Sequence, residues 1–163
     1  MIEKAAHQRY RIARAGSGDL DDVARLFNAY AAHIGVDLSY QDFASEVAAL
    51  PGKYAPPTGR LLIARDAHEN AVGCVALRLL DQRTCEMKRL FVSPDGRGLG
   101  LGRALTHAIV DEAKQLGYAE MRLDTLPSMR TAIGLYEELG FVAIGAYYTG
   151  ALPGTIFMAR KLA

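Results

Sequence analysis

The run Arg97-Gly98-Leu99-Gly100-Leu101-Gly102-Arg103 constrains the fold of this chain more than any other stretch. It lies between a strand-like segment, Thr84 to Val92, and a long amphipathic one, Gly100 to Leu116. Leu101, Ala104, Leu105, Ala108, Ile109, Ala113 and Leu116 recur at the spacing of one helix face, and Gly117 is a natural stop. A strand that passes through glycines directly into a helix makes a turn whose backbone can approach a ligand closely. The helix start adds unpaired N–H groups and partial positive charge. Phosphate is the expected guest, with Arg97 and Arg103 bracketing it. The same glycines also suit an ordinary tight turn with solvated arginines.

The rest of the chain supplies elements to pack around this turn. Residues 9–15 alternate as a short strand. Asp19 is placed to cap a helix through Leu20, Val23, Phe27 and Tyr30, with Asp22 in its first turn. Ser39 and Asp42 repeat that start signal before Phe43, Val47 and Leu50, and Pro51-Gly52 stops the second helix. Residues 50–59, LPGKYAPPTG, must form a loop. Residues 60–65 and 71–80 read as a hairpin about His68-Glu69-Asn70. A strand over 118–125, a helix over 129–139 that stops at Gly140, and strands near 141–148 and 155–162 complete an order βααβββαβαββ. That order is α/β (α+β) and implies a mixed sheet with helices on its faces.

Composition narrows the function. Nineteen Lys and Arg against 18 Asp and Glu give a net charge of +1, without the cationic excess from which general nucleic-acid affinity comes. The start carries Glu3, Lys4, Arg9 and Arg11 and lacks an apolar signal region, and residues 71–80 are too short to span a bilayer. The expectation is a cytoplasmic protein with no nucleic-acid or membrane partner, built as one domain over 9–163 behind a loose tail over 1–8. Cys74 and Cys85 form no CxxC pair, and His7, His33, His68 and His107 share no ligand spacing, so no metal site is expected. Both cysteines read as small buried hydrophobes.

A dinucleotide-binding reading has Asp124 in its favour, about twenty residues after the glycines at the end of the next strand. Against it, GxGxxG needs a glycine where Arg103 stands, and a P-loop needs a GK[ST] that is absent.

RGLGLG also fits R/Q-x-x-G-x-G/A, with Arg97, Gly100 and Gly102 at the defining positions. CEMKRLFVSP before it and AxxLYEELGF from Ala132 to Phe141 complete a set of three motifs in order. Together they resemble the GNAT superfamily of acetyl-CoA-dependent N-acetyltransferases over residues 9–162. The resemblance implies a GNAT fold: a mostly antiparallel sheet of six to seven strands, about four flanking helices, and two strands splayed at the coenzyme cleft.

It also implies roles. Leu90, Phe91 and Val92 would offer main-chain groups to acetyl-CoA, with an N–H near Leu90 polarising the thioester. The N–H groups of Gly98, Leu99, Gly100, Leu101, Gly102 and Arg103, beside Arg97, would take the pyrophosphate. Tyr136 corresponds to the family's general acid, and its position on an apolar helix stripe equally suits a core aromatic. The base is Glu86, Asp124 or water. Met129 stands where many members carry the Asn that contacts pantetheine, leaving Ser128 as a substitute, and Arg130 is a candidate for the 3′-phosphate. The acceptor is a primary amine of a small molecule or peptide. Tyr40, Tyr54, Tyr147 and Tyr148 are candidate walls for it, and a homodimer is compatible with the family. A non-catalytic acyl-CoA-binding module would keep the glycine turn without needing Tyr136.

Overall fold

The computed structural model describes residues 9–162; the tail expected at residues 1–8 and the side chain of Tyr40 lie outside the described part. Seven strands form one sheet in the order β1-β2-β3-β4-β5-β7-β6: β1 Tyr10–Arg14, β2 Arg60–Asp66, β3 Ala71–Asp81, β4 Thr84–Val92, β5 Glu120–Thr125, β6 Val142–Ile144 and β7 Ile156–Lys161. Every neighbouring pair is antiparallel except β4 and β5. The parallel, doubly wound sheet of a dinucleotide-binding fold is therefore not what this sequence builds.

Four helices cover the two faces: α1 Leu20–Ile34, α2 Phe43–Ala48, α3 Leu101–Gln115 and α4 Arg130–Glu138. The central strand β3 is apolar on both sides, and its alternation sorts side chains into two cores. Val75 and Leu77 pack with Leu105, Ile109 and Tyr136 on the α3–α4 side. Cys74 and Ala76 pack with Val23, Phe27 and Tyr54 on the α1 side.

One relationship between strands shapes the site. β4 and β5 pair only over Thr84–Glu86 against Glu120–Arg122. Beyond that, β4 stays on β3 as far as Val92, while β5 stays on β7 as far as Thr125. The two central strands diverge and open a gap through the sheet.

Several local expectations shift. Asp19 is the N-cap of α1 but makes no capping bond; its carboxylate accepts from the Gly16 N–H at 2.8 Å and from Arg65 at 2.7 Å. The second helix is divided, because Asp42 adopts φ +56° between a single 3₁₀ turn over Ser39–Gln41 and α2. The expected strand over 141–148 shrinks to three residues because the chain turns away at Gly145 to carry Tyr147 and Tyr148 toward the sheet.

Candidate active site

The site begins with an irregularity in β4. Cys74 pairs with Phe91 but Ala76 pairs with Lys88, so β4 carries one residue more than β3 between these points. Arg89, at φ +61°, absorbs it. A side chain at that φ is strained, and such bulges persist where the surroundings hold them. Here the guanidinium donates to both carboxylate oxygens of Glu46, at 2.9 and 3.1 Å, and lies over the rings of Phe43 and Tyr30 at 5.0 and 5.7 Å. The bulge also breaks the alternation. Consecutive residues Lys88 and Arg89 both reach elements on the α1–α2 side, Gln41 and Glu46 respectively.

On the other face a cleft of about 760 Å³ runs between the starts of α3 and α4. Every residue expected to contact the coenzyme, except Leu99, lines it. Gly98 and Gly100 hold φ of +81° and +72°, so the turn requires glycine for its backbone geometry. Gly102 is different: it lies within the helix, and a Cβ there would project among cleft-lining Leu135 and Val92 at 3.8 and 4.0 Å. With Gly100 at the N-cap there is no side chain to satisfy the first N–H groups of α3, which suits an anion in the cleft. Arg97 and Arg103 both border the cleft. Arg97 donates to the Val92 carbonyl at 3.3 Å, and Arg103 pairs with Glu138 across the mouth. Met129 and Arg130 line the cleft, whereas Ser128 is exposed and absent from the lining.

The cleft leads through the β4–β5 gap into a smaller chamber; Tyr30, Leu90 and Met129 line both. Tyr136 reaches the chamber from the α3–α4 core, where it packs against Phe141 at 5.8 Å. Burial, reinforced by Tyr30 and Asp124, raises its phenol above the ordinary value, so it stays protonated. Lys88 and Asp124 line the same chamber. The Lys88 ammonium is 8% exposed and lies 3.3 Å from Gln41 Oε1, 3.9 Å from Glu86 Oε1 and 4.0 Å from Asp124 Oδ1. Burial lowers its pKa, while Glu86 and Asp124 oppose that shift. The phenol of Tyr148 donates to Asp124 Oδ2.

Glu86 is 1% exposed and does not line the chamber. It accepts from Arg78 Nε at 2.9 Å and from the Tyr147 hydroxyl at 2.6 Å, so both oxygens are engaged behind Lys88. Of the tyrosines expected as acceptor walls, Tyr147 and Tyr148 instead hold carboxylates. Tyr54 is a core residue, 1% exposed and edge-on to Phe27 at 6.0 Å. Tyr30 belongs to the 30–40 segment expected to shape acceptor specificity, whereas Lys88 and Gln41 are among the chamber residues that sequence reasoning missed. For Lys88 a signal existed, since Glu86, Lys88 and Arg89 are three charges within a central strand flanked on both faces by helices. Cys74 and Cys85 are fully buried, and burial pushes both thiols up to about 12.

Comparison with known proteins agrees with this geometry. The family described as "Acetyltransferase (GNAT) family" matches residues 20–141. An uncharacterised N-acetyltransferase of Schizosaccharomyces pombe is 41% identical over 145 residues, covering 88% of this chain and 89% of that one. A GNAT-family acetyltransferase from Staphylococcus aureus superposes with a TM-score of 0.80 at 20% identity, covering 94% and 99% of the two chains. A Salmonella typhimurium protein solved with its cofactor acetyl-CoA gives a TM-score of 0.71 at 21% identity over 96% and 95%. The motifs, the splayed sheet and these matches agree, and the chain belongs to the GNAT family of acetyltransferases and is an acyltransferase.

Proposed function

We propose that the protein transfers an acetyl group from acetyl-CoA to the primary amine of a small molecule, the two substrates meeting in the β4–β5 gap from opposite faces of the sheet. One observation carries this reading. Tyr136 from the α3–α4 side and Asp124 from the α1–α2 side line one chamber that continues into a cleft ending at an uncapped helix start. The fit of acetyl-CoA rests on the glycine-built turn, on Gly102, where a side chain would occupy the cleft, and on the free main-chain edge of β4 beyond its pairing with β5. The Salmonella protein that shares the fold binds the same molecule.

The chemistry sets three demands. An amine with a lysine-like pKa near 10.4 costs roughly 4–5 kcal/mol to neutralise at pH 7. Once neutral, its nitrogen forms a C–N bond to the thioester carbonyl carbon as the C–S bond breaks. The main chain near Leu90, turned by the bulge, polarises the carbonyl oxygen. Attack makes the nitrogen far more acidic, so a carboxylate then suffices to take its second proton. Asp124 fills that role better than Glu86, whose oxygens already accept from Arg78 and Tyr147. Tyr136 gives its proton to the departing sulfur and regains one from solvent, so each turnover releases one net proton. The burial that raises Tyr136 acts equally on a thiolate formed beside it, which keeps the transfer feasible.

A panel of primary amines mixed with acetyl-CoA tests the reading: free CoA thiol should appear together with N-acetylated product. Acetyl-CoA binding without thiol release for any amine would instead identify a non-catalytic acyl-CoA-binding module.

A further inference from the structure

Among the described residues, the chamber contains a cation whose hydrogen bonds are largely unmade. Lys88 carries three donors, and the described partner within hydrogen-bond reach is Gln41 Oε1, at 3.3 Å. Glu86 Oε1 and Asp124 Oδ1, at 3.9 and 4.0 Å, attract it without closing hydrogen bonds. A buried charge with open donors is costly unless something completes its shell. Arg89, the neighbouring cation, is matched by a carboxylate, since Glu46 accepts from Nε and Nη2 along one edge of its guanidinium. Among the described chamber residues Lys88 is therefore the cation with no carboxylate hydrogen-bonded to it, and Asp124 is the anion beside it.

A spacing of 4.0 Å between Lys88 Nζ and Asp124 Oδ1 suits a particular guest. Standard N–Cα–C–O dimensions put an amine nitrogen about 3 Å from a carboxylate oxygen on the same carbon. Charge-assisted contacts of about 2.8 Å to each protein group then close a four-sided ring of alternating charges, Lys88, carboxylate, amine, Asp124. A monoamine would leave Lys88 uncompensated, and a polyamine would bring further positive charge against it. Ile34, Leu38 and Met129 also line the chamber and offer an apolar wall to the acceptor's side chain.

We propose that the acceptor is an α-amino acid, its carboxylate bound by Lys88 and its amine presented beside Asp124. This rests on the acetyltransferase reading above and specifies its substrate class. The transfer is the balanced step already given, with the carboxylate unchanged by the reaction. Lys88 acts as a specificity-determining residue.

The test uses the unmodified protein, acetyl-CoA, and matched pairs of an amino acid with its decarboxylated amine, such as leucine with 3-methylbutylamine, phenylalanine with phenethylamine, and glutamate with 4-aminobutyrate. The remaining standard amino acids and spermidine complete the panel. At least one amino acid should be acetylated with kcat/KM about 10- to 100-fold above that of its decarboxylated partner, the value of a hydrogen-bonded charge pair. Lys88→Met should bring that ratio close to one, chiefly through the amino acid's KM, and Lys88→Arg should restore part of it. Equal or better use of the decarboxylated amines or of spermidine would overturn the proposal. So would acetylation of other amines with no amino acid acetylated, or an equal loss of kcat for both members of each pair in Lys88→Met, the signature of a base. If Lys88→Met does not fold, the matched pairs on the unmodified protein decide. Failure of the underlying acetyltransferase reading is distinguishable, because then no member of the panel, amino acid, decarboxylated amine or spermidine, would release CoA thiol.

Discussion

Arg89 sits at φ +61° inside a strand, and Glu46 from α2 holds it there with two hydrogen bonds of 2.9 and 3.1 Å. The bulge lies where β4 parts from β5, so this ion pair ties the packing of a short surface helix to the aim of the Leu90 main chain. Burial opposes ionisation of Glu46, but Arg89 and Lys53 outweigh it and hold the carboxyl down at about 2. The folded pKa is depressed, so the stabilisation is present above the unfolded value near 4.3 and is lost as pH falls toward 2. Urea unfolding between pH 7 and 2 should show an acid limb that Glu46→Gln reduces by about 2–3 kcal/mol, the remainder coming from other carboxylates held down by their partners, such as Asp19 and Glu112. Glu46→Ala, which strands the buried arginine, should cost about 3–5 kcal/mol at pH 7. An unchanged acid limb in the Gln variant would mean that the pair does not support the bulge.

The glycines of the turn should separate into two kinds. Gly100→Ala forces a side chain into a left-handed conformation and should lower stability by about 1–2 kcal/mol. Gly102→Ala imposes no backbone strain and should leave Tm within a degree or two, while weakening acetyl-CoA binding because its methyl enters the cleft. Calorimetric titration alongside thermal unfolding distinguishes these effects. Equal behaviour of the two variants would contradict the assignment.

Asp124→Asn should reduce kcat by about 10²-fold, the lower end of acid–base contributions, with acetyl-CoA affinity within about threefold. Glu86→Gln should act mainly through the acceptor's KM, because Glu86 contacts Arg78 and Tyr147 and stands behind Lys88. A larger loss of kcat in Glu86→Gln than in Asp124→Asn would transfer the base to Glu86.

Both cysteines should resist alkylation in the native state, since burial raises their thiols to about 12 and little thiolate forms at neutral pH. Iodoacetamide followed by mass spectrometry should label neither residue without denaturant, and activity should survive the treatment.

Much of the fold was legible because it depends on periodicity. The stripe from Leu101 to Leu116, the alternation of β3 and the stop at Gly117 each fix an element by local rules. The glycine turn was legible for the same reason: Gly98 and Gly100 sit where the backbone demands glycine. What stayed hidden depends on long-range pairing. A one-residue excess in β4 relative to β3 cannot be seen in either strand alone, yet it places Lys88 and Arg89 on one side of the sheet. Tyr54, Tyr147 and Tyr148 looked alike as loop tyrosines. Their different roles follow from Phe27, Glu86 and Asp124, which are distant in sequence. Asp19 was legible as a helix start, but Arg65 and Gly16 drew its carboxylate away from the cap.

In the proposed mechanism Tyr136 protonates the departing thiolate in a site where acetyl-CoA and an amine meet. The most direct test of this step is steady-state CoA release by the unmodified protein and Tyr136→Phe, measured from pH 6 to 10 with acetyl-CoA affinity determined in parallel. In the variant kcat should fall about 10²-fold or more while affinity changes less than about threefold. Because the Tyr136 phenol is raised above its ordinary value, activity of the unmodified protein should also show no alkaline loss below pH 10 from its ionisation. Unchanged turnover in Tyr136→Phe, or stabilisation of the protein by NAD and not by acetyl-CoA, would contradict this mechanism.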